Sequence, residues 1–182
     1  MPYIRVSCLT GALNHTQKAT LASRLADVVM GQEIEPLTEI GRAAAAVFFD
    51  EIDEHNWFPG GVSLLDHPEK QYFVVEAVVA ASFFNQSRRD IVQTEVAAAF
   101  VAVLGDDGTS LEREGVTVSP AYLMRLHTAI IEIPEGSWGA GGRTVDTELI
   151  GKFIGAGQGP SRFAEARALG AKMKAARQLL ES

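Results

Sequence analysis

Apolar and polar residues along this chain follow two periods that take turns. Tyr3 to Leu9 and Tyr72 to Ala81 are rich in valine, isoleucine and aromatic residues and read as strands. Each is followed by a stretch with helical spacing. Leu21, Ala22, Leu25, Val28 and Val29 share one face of the first, and Ile91, Val92, Val96, Ala99 and Val103 share one face of the second. Asn14 stands where the first helix begins, and Gln17 three residues on completes a capping-box pattern. Asn85 starts the second. New apolar strands follow near Ala44 to Ile52 and Leu126 to Ile133.

The two strand–helix–strand units are copies of one another. Glu51, Ile52, Glu54, Trp57, Gly60 and Gly61 recur as Glu132, Ile133, Glu135, Trp138, Gly141 and Gly142, displaced by 81 positions. Asn14 and Asn85 are displaced by 71, so the second copy is about ten residues longer between helix and closing strand. Its extra length falls in a polar stretch from 104 to 122 that reads as a surface loop. The pattern predicts an α/β fold: two tandem β-α-β repeats forming a four-stranded sheet with two helices on one face, plus a C-terminal helix. The units span 1–61 and 71–155, with a connector at 62–70 and a helical extension at 156–182. On the tail, Phe163, Ala166, Leu169, Met173, Ala176 and Leu180 form a stripe that predicts a packing helix. The other face of the sheet needs a cover, and further copies of the chain are the expected source.

Charge narrows the partners. Sixteen Lys and Arg against 23 Asp and Glu, a formal charge of −7 in 182 residues, disfavour a nucleic-acid binder. The single cysteine, Cys8, excludes an internal disulfide and reads as a buried thiol on a strand. No apolar run is long enough to cross a bilayer, so no membrane partner and a cytoplasmic location are expected. Asp50 to His55 carries oxygen and imidazole groups but reads as a polar strand end, so no metal is expected; nor is a cofactor. The glycine-rich stretch from 155 to 160 lacks the strand-to-helix context of a dinucleotide loop.

Pro2 after the initiator methionine, the Asn14 to Lys18 helix start and the paired Glu-Ile, Trp and Gly-Gly strand ends resemble the tautomerase superfamily. This is the group of 4-oxalocrotonate tautomerase. The likeness is greatest to its fused two-repeat members, such as malonate semialdehyde decarboxylase and cis-3-chloroacrylic acid dehalogenase. It covers most of residues 2 to 155. The resemblance implies a homotrimer of fused chains and removal of Met1, which makes the secondary amine of Pro2 the reactive group. An amine near neutrality moves protons at a carbon beside a carbonyl, so the expected activity is tautomerisation of an enol or 2-oxo acid.

One element of the family pattern is missing. The carboxylate-binding arginines should stand just before the helix caps or on the closing strands. Leu13, Phe84, Ala81 and Ala46 occupy those places, and His127 the last. Arg125 and His127, two apart, are expected to share a strand face as substitutes. Arg42, with the parity of Ala46, is a third. Arg88 and Arg89 are expected to be solvated, with Arg89 matching Lys18. Glu132 resembles the water-activating glutamate of the dehalogenase branch, although its recurrence as Glu51 points to a structural role. Trp57 and Trp138 match an aromatic that walls the pocket. Three functional readings stay open: a tautomerase acting on a small carbonyl or carboxylate substrate, a hydratase, dehalogenase or decarboxylase on a related acid, and a non-catalytic small-molecule-binding oligomer that has lost the clamp.

Overall fold

In a computed structural model, residues 2–67, 71–154 and 162–181 are described. Strand β1 (Tyr3–Leu9) leads into helix α1 (His15–Glu33), a short α2 (Glu39–Ala43) and β2 (Ala46–Ile52). The second half repeats this with β3 (Phe73–Ala80), α3 (Gln86–Leu104) and β6 (Leu126–Ile133), interrupted by a small hairpin of β4 (Leu111–Arg113) and β5 (Val116–Val118). The stretch expected to be a plain loop therefore pairs with itself, and its hairpin residues stay largely exposed. The main sheet runs β2-β1-β3-β6, with β1 parallel to β2, β3 parallel to β6, and the two halves meeting antiparallel at β1 and β3. This is the two-repeat α/β architecture that the pattern predicted.

Alternation decides which face is buried. Ile4, Val6 and Cys8 are fully buried under α1, whereas Tyr3 and Arg5 between them face the other way. Val75, Ala77 and Val79 do the same under Val92, Val96 and Phe100 of α3. Burying each such side chain contributes about 1.5–3 kcal/mol. The Asn14 capping box forms as expected: its side chain accepts from Gln17 N, and the Gln17 side chain accepts from Asn14 N, both at 2.9 Å.

The opposite sheet face is open in the single chain. Tyr3, Phe48 and Ile131 are 38%, 53% and 39% exposed there, around an Arg5 that reaches Asp50 at 3.2 Å and Glu76 at 3.9 Å. Apolar residues of that size in one plane are what a neighbouring subunit would cover.

The C-terminal part adds a hairpin of β7 (Trp138–Ala140) and β8 (Arg143–Val145), then α4 (Thr147–Phe153) and α5 (Arg162–Glu181). Two glycines let these pieces close on one another. A Cβ on Gly151 would meet the Phe163 ring at 1.9 Å, and one on Gly170 would meet Thr147 Oγ1 at 2.6 Å. Thr147 in turn donates to Glu135 and shares a 2.6 Å hydrogen bond with the buried Ser82. Of the tail stripe only Phe163 and Ala166 are buried, and Leu169 and Met173 are half-buried; Leu180 is 88% exposed. The expected continuous packing face thus ends midway, because the helix outruns the body it lies on. The stretch 155–160 lies outside the described residues.

Candidate active site

Pro2 is buried one residue before β1, with its carbonyl accepting from Ala46 N at 3.2 Å. Sheet register then fixes what lies across from it. Tyr3 pairs with Val78, so Pro2 heads toward Val79, and Val79 pairs with Glu132. Two strand spacings separate the ends, about 10 Å between backbones. Pro2 and Glu132 therefore stand at one end of the sheet and on its helix-covered face. Trp138 is at the same end, its ring 6.3 Å from that of Tyr3.

Glu132 is already engaged. It accepts a hydrogen bond from Arg89 in the first turn of α3. Glu51 has the equivalent bond from Lys18, at 2.6 Å, and a second from Gly11 N at 2.9 Å. Those contacts hold the Glu51 carboxyl below the usual carboxylate range, the Lys18 bond contributing most. The repeated glutamates thus share one structural job, tying each helix start to the end of its closing strand. The residues from Asp50 to His55 are used in the same local way: Asp50 by Arg5, Glu51 by Lys18, and Asp53 by His55 at 2.8 Å. Among the described residues no three such side chains gather around a common point.

Four sequence expectations are corrected. Arg88 is buried, not solvated, and donates to Phe83 O and to Glu165, both at 2.6 Å. Arg89 is half-buried and salt-bridged rather than free in water. Arg125 belongs to a 3-10 turn before β6, so the shared strand face expected with His127 does not form. Nor does Arg42 share the strand parity of Ala46: it sits on α2, where Asp27 holds it at 2.5 Å and Ser23 Oγ at 2.6 Å.

The remaining candidates lie elsewhere. His127 is exposed on the open face at the start of β6, opposite Val74 and tilted against Tyr72 with ring centroids 5.3 Å apart. Trp57 follows the far end of β2, which runs parallel to β1 and so points away from Pro2. Within one chain Pro2, Glu132 and Trp138 lie at one end of the sheet, Pro2 and Glu132 two strands apart and Trp138 against Tyr3, while Arg125, His127 and Trp57 lie away from that end. A cleft of about 390 Å³ between α5 and the β7–β8 hairpin, lined in part by Lys174, Arg177 and Asp146, contains none of these groups.

Sequence reasoning missed Gln32 and Glu33, the last two residues of α1, both buried at the Pro2 end of the sheet. Burial pushes the Glu33 carboxyl up. The signal was available: the matching positions of the second repeat are Val103 and Leu104.

No protein-family model matches the chain, and no curated protein does. Solved structures do. A native fused 4-OT shares 20% identity, covering 78% of this chain and 94% of that one, with a TM-score of 0.59. The F6 fused 4-OT, an asymmetric trimer, shares 19% over 78% and 94%, with a TM-score of 0.57. N1, a member of the cis-3-chloroacrylic acid dehalogenase family, shares 16% over 92% and 97%, also at 0.59. The fold is the one these fused 4-OT and dehalogenase-family chains have, as the sequence resemblance implied.

Proposed function

We propose that this chain is a cofactor-independent, cytoplasmic tautomerase-superfamily enzyme, working as a homotrimer, whose Pro2 amine moves a proton on an enol or 2-oxo acid. The observation that carries the reading is the place of Pro2. It is buried between two strands, at one end of the sheet with Glu132, Arg89 and Trp138. Once Met1 is removed, the proline nitrogen is a secondary amine fixed by its own ring and by the strand that follows. The neutral amine accepts the enol hydroxyl proton, and the resulting ammonium returns a proton to the adjacent carbon, so the amine ends as it began. Trp138 supplies an apolar wall that keeps water away from the carbon. The Arg89 salt bridge to Glu132 gives the glutamate a structural duty, which favours tautomerisation over water activation.

The competing reading is a non-catalytic binding oligomer. It draws on Leu13 and Phe84, which are 2% exposed and fill the core at the positions where the family pattern has its arginines. Ketonisation of phenylenolpyruvate, followed by ultraviolet absorbance with mass-verified Met-free protein beside Pro2→Ala, separates the two.

A further inference from the structure

Helix α5 encloses a cleft of about 390 Å³ against the β7–β8 hairpin and the start of α4. A smaller hollow of about 180 Å³ continues from it along the helix, and Glu135, Asp146 and Lys174 line both. The larger cleft lies within the range of about 300–1,000 Å³ in which small organic molecules are bound. None of Pro2, Glu132 and Trp138 lines it, so the candidate active site gives it no role.

Two walls of opposite charge face this space. Lys174 and Arg177, three apart on α5, share one side of the helix. Arg177 is already fixed: its Nε donates to Glu181 at 2.7 Å, and its Nη1 to Glu135 O at 3.1 Å and Ser137 Oγ at 3.2 Å. Its Nη2 and the Lys174 ammonium have no partner among the described residues. The facing wall carries Glu135 and Asp146. Neutral donors satisfy Glu135, from Thr147 N at 3.0 Å and Thr147 Oγ1 at 2.6 Å. Asp146 caps α4 with Oδ1, which accepts from Leu149 N at 3.0 Å, and this leaves its Oδ2 open among the described residues. Lys174 and Asp146 line the same cleft, yet no ion pair joins them.

We propose that this cleft binds a small zwitterion, a free α-amino acid, with its carboxylate on Lys174 and Arg177 and its ammonium on Asp146. Charge-assisted hydrogen bonds to both ends satisfy the two walls at once. A simple anion would bring its charge toward Asp146 and Glu135, and a simple cation toward Lys174 and Arg177, so each half alone meets repulsion that the zwitterion balances. The three bonds that hold Arg177 and the cap that holds Asp146 are made before any ligand arrives, so little side-chain freedom is lost on binding. Leu149 adds apolar surface for a side chain. The proposal stands whether or not Pro2 does chemistry, because the two sites share no residue.

The test is an NMR titration of the full ¹⁵N-labelled chain with glycine and with L-leucine, beside acetate and methylamine as the two charged halves. An amino acid is expected to shift the amide signals of Gly136, Thr144 and Gln178 saturably, with a Kd of about 1 mM, and each half to bind at least about tenfold more weakly. Two variants locate the contacts. Lys174→Met alters an exposed position of α5, and Asp146→Asn keeps the side-chain oxygen that caps α4. Each is expected to weaken amino-acid binding at least about tenfold while signals elsewhere stay in place. No saturable shift from either amino acid overturns the proposal. Acetate binding as tightly as glycine overturns it in favour of a plain anion site, and an affinity unchanged in either folded variant overturns the contact assigned to that residue and with it the zwitterion.

Discussion

Arg89 donates to Glu132 across the second half of the molecule as Lys18 does to Glu51 across the first. Each cation lies in the first turns of a helix and each glutamate ends the strand that follows, so the pair pins the crossover connection of its repeat. Since Glu51 is held below the ordinary carboxylate range, its contribution to stability exists above its unfolded pKa and is lost as pH falls through its lowered folded value. The expected outcome for Lys18→Met is a lower urea midpoint at pH 7, with the gap to wild type closing below about pH 4. A gap that persists in acid would show that Lys18 acts through packing.

Two helical glycines, one crowded and one open, predict opposite signs for the same substitution. Gly151→Ala drives a methyl into the Phe163 ring and should cost about 1–3 kcal/mol by forcing α5 away. Gly31→Ala, helical with nothing near the new methyl, should stabilise by about 0.5–1 kcal/mol. Thermal unfolding monitored by circular dichroism reads both.

Arg88 and Glu165 should respond unequally to removal. Truncating the buried Arg88 to alanine leaves the Phe83 carbonyl without its donor and should cost roughly 1–3 kcal/mol. Glu165→Ala should cost less than about 1 kcal/mol, since that side chain is 61% exposed. Equal losses in urea denaturation would contradict the bond from Arg88 to the Phe83 carbonyl as the larger contribution.

Covering the open sheet face predicts a surface that does not tolerate charge. Phe48→Glu places a carboxylate beside Tyr3 and near Asp50 and should dissociate the proposed trimer, lowering the sedimentation coefficient while leaving the helix signal intact. A variant that sediments as the wild type would place the subunit contact elsewhere.

The repeats, the strands and the helix caps were legible because each follows from a local rule: alternation, helical spacing, and an asparagine three residues before a partner. Glu132 and Glu51 could be paired with each other by position, and the structure adds what each one holds. Arg88 was not legible. It stands at the cap position where Gln17 turns back on its own helix, but its longer side chain leaves the cap for Phe83 and a residue 77 positions away. Arg42 misled for a related reason, since a short helix replaced the expected extended approach to β2. Trp57 and Trp138 share a motif yet differ in place, because the sheet puts the ends of β2 and β6 on opposite edges.

The central claim is that the Pro2 amine does chemistry, and the ketonisation rate of phenylenolpyruvate tests it most directly. Met-free protein should exceed the buffer rate, and Pro2→Ala should lose at least a hundredfold of kcat/KM, the loss expected when a general acid–base group is removed. Equal rates in the two proteins, with both folded and trimeric, would contradict the account and leave a binding oligomer in its place.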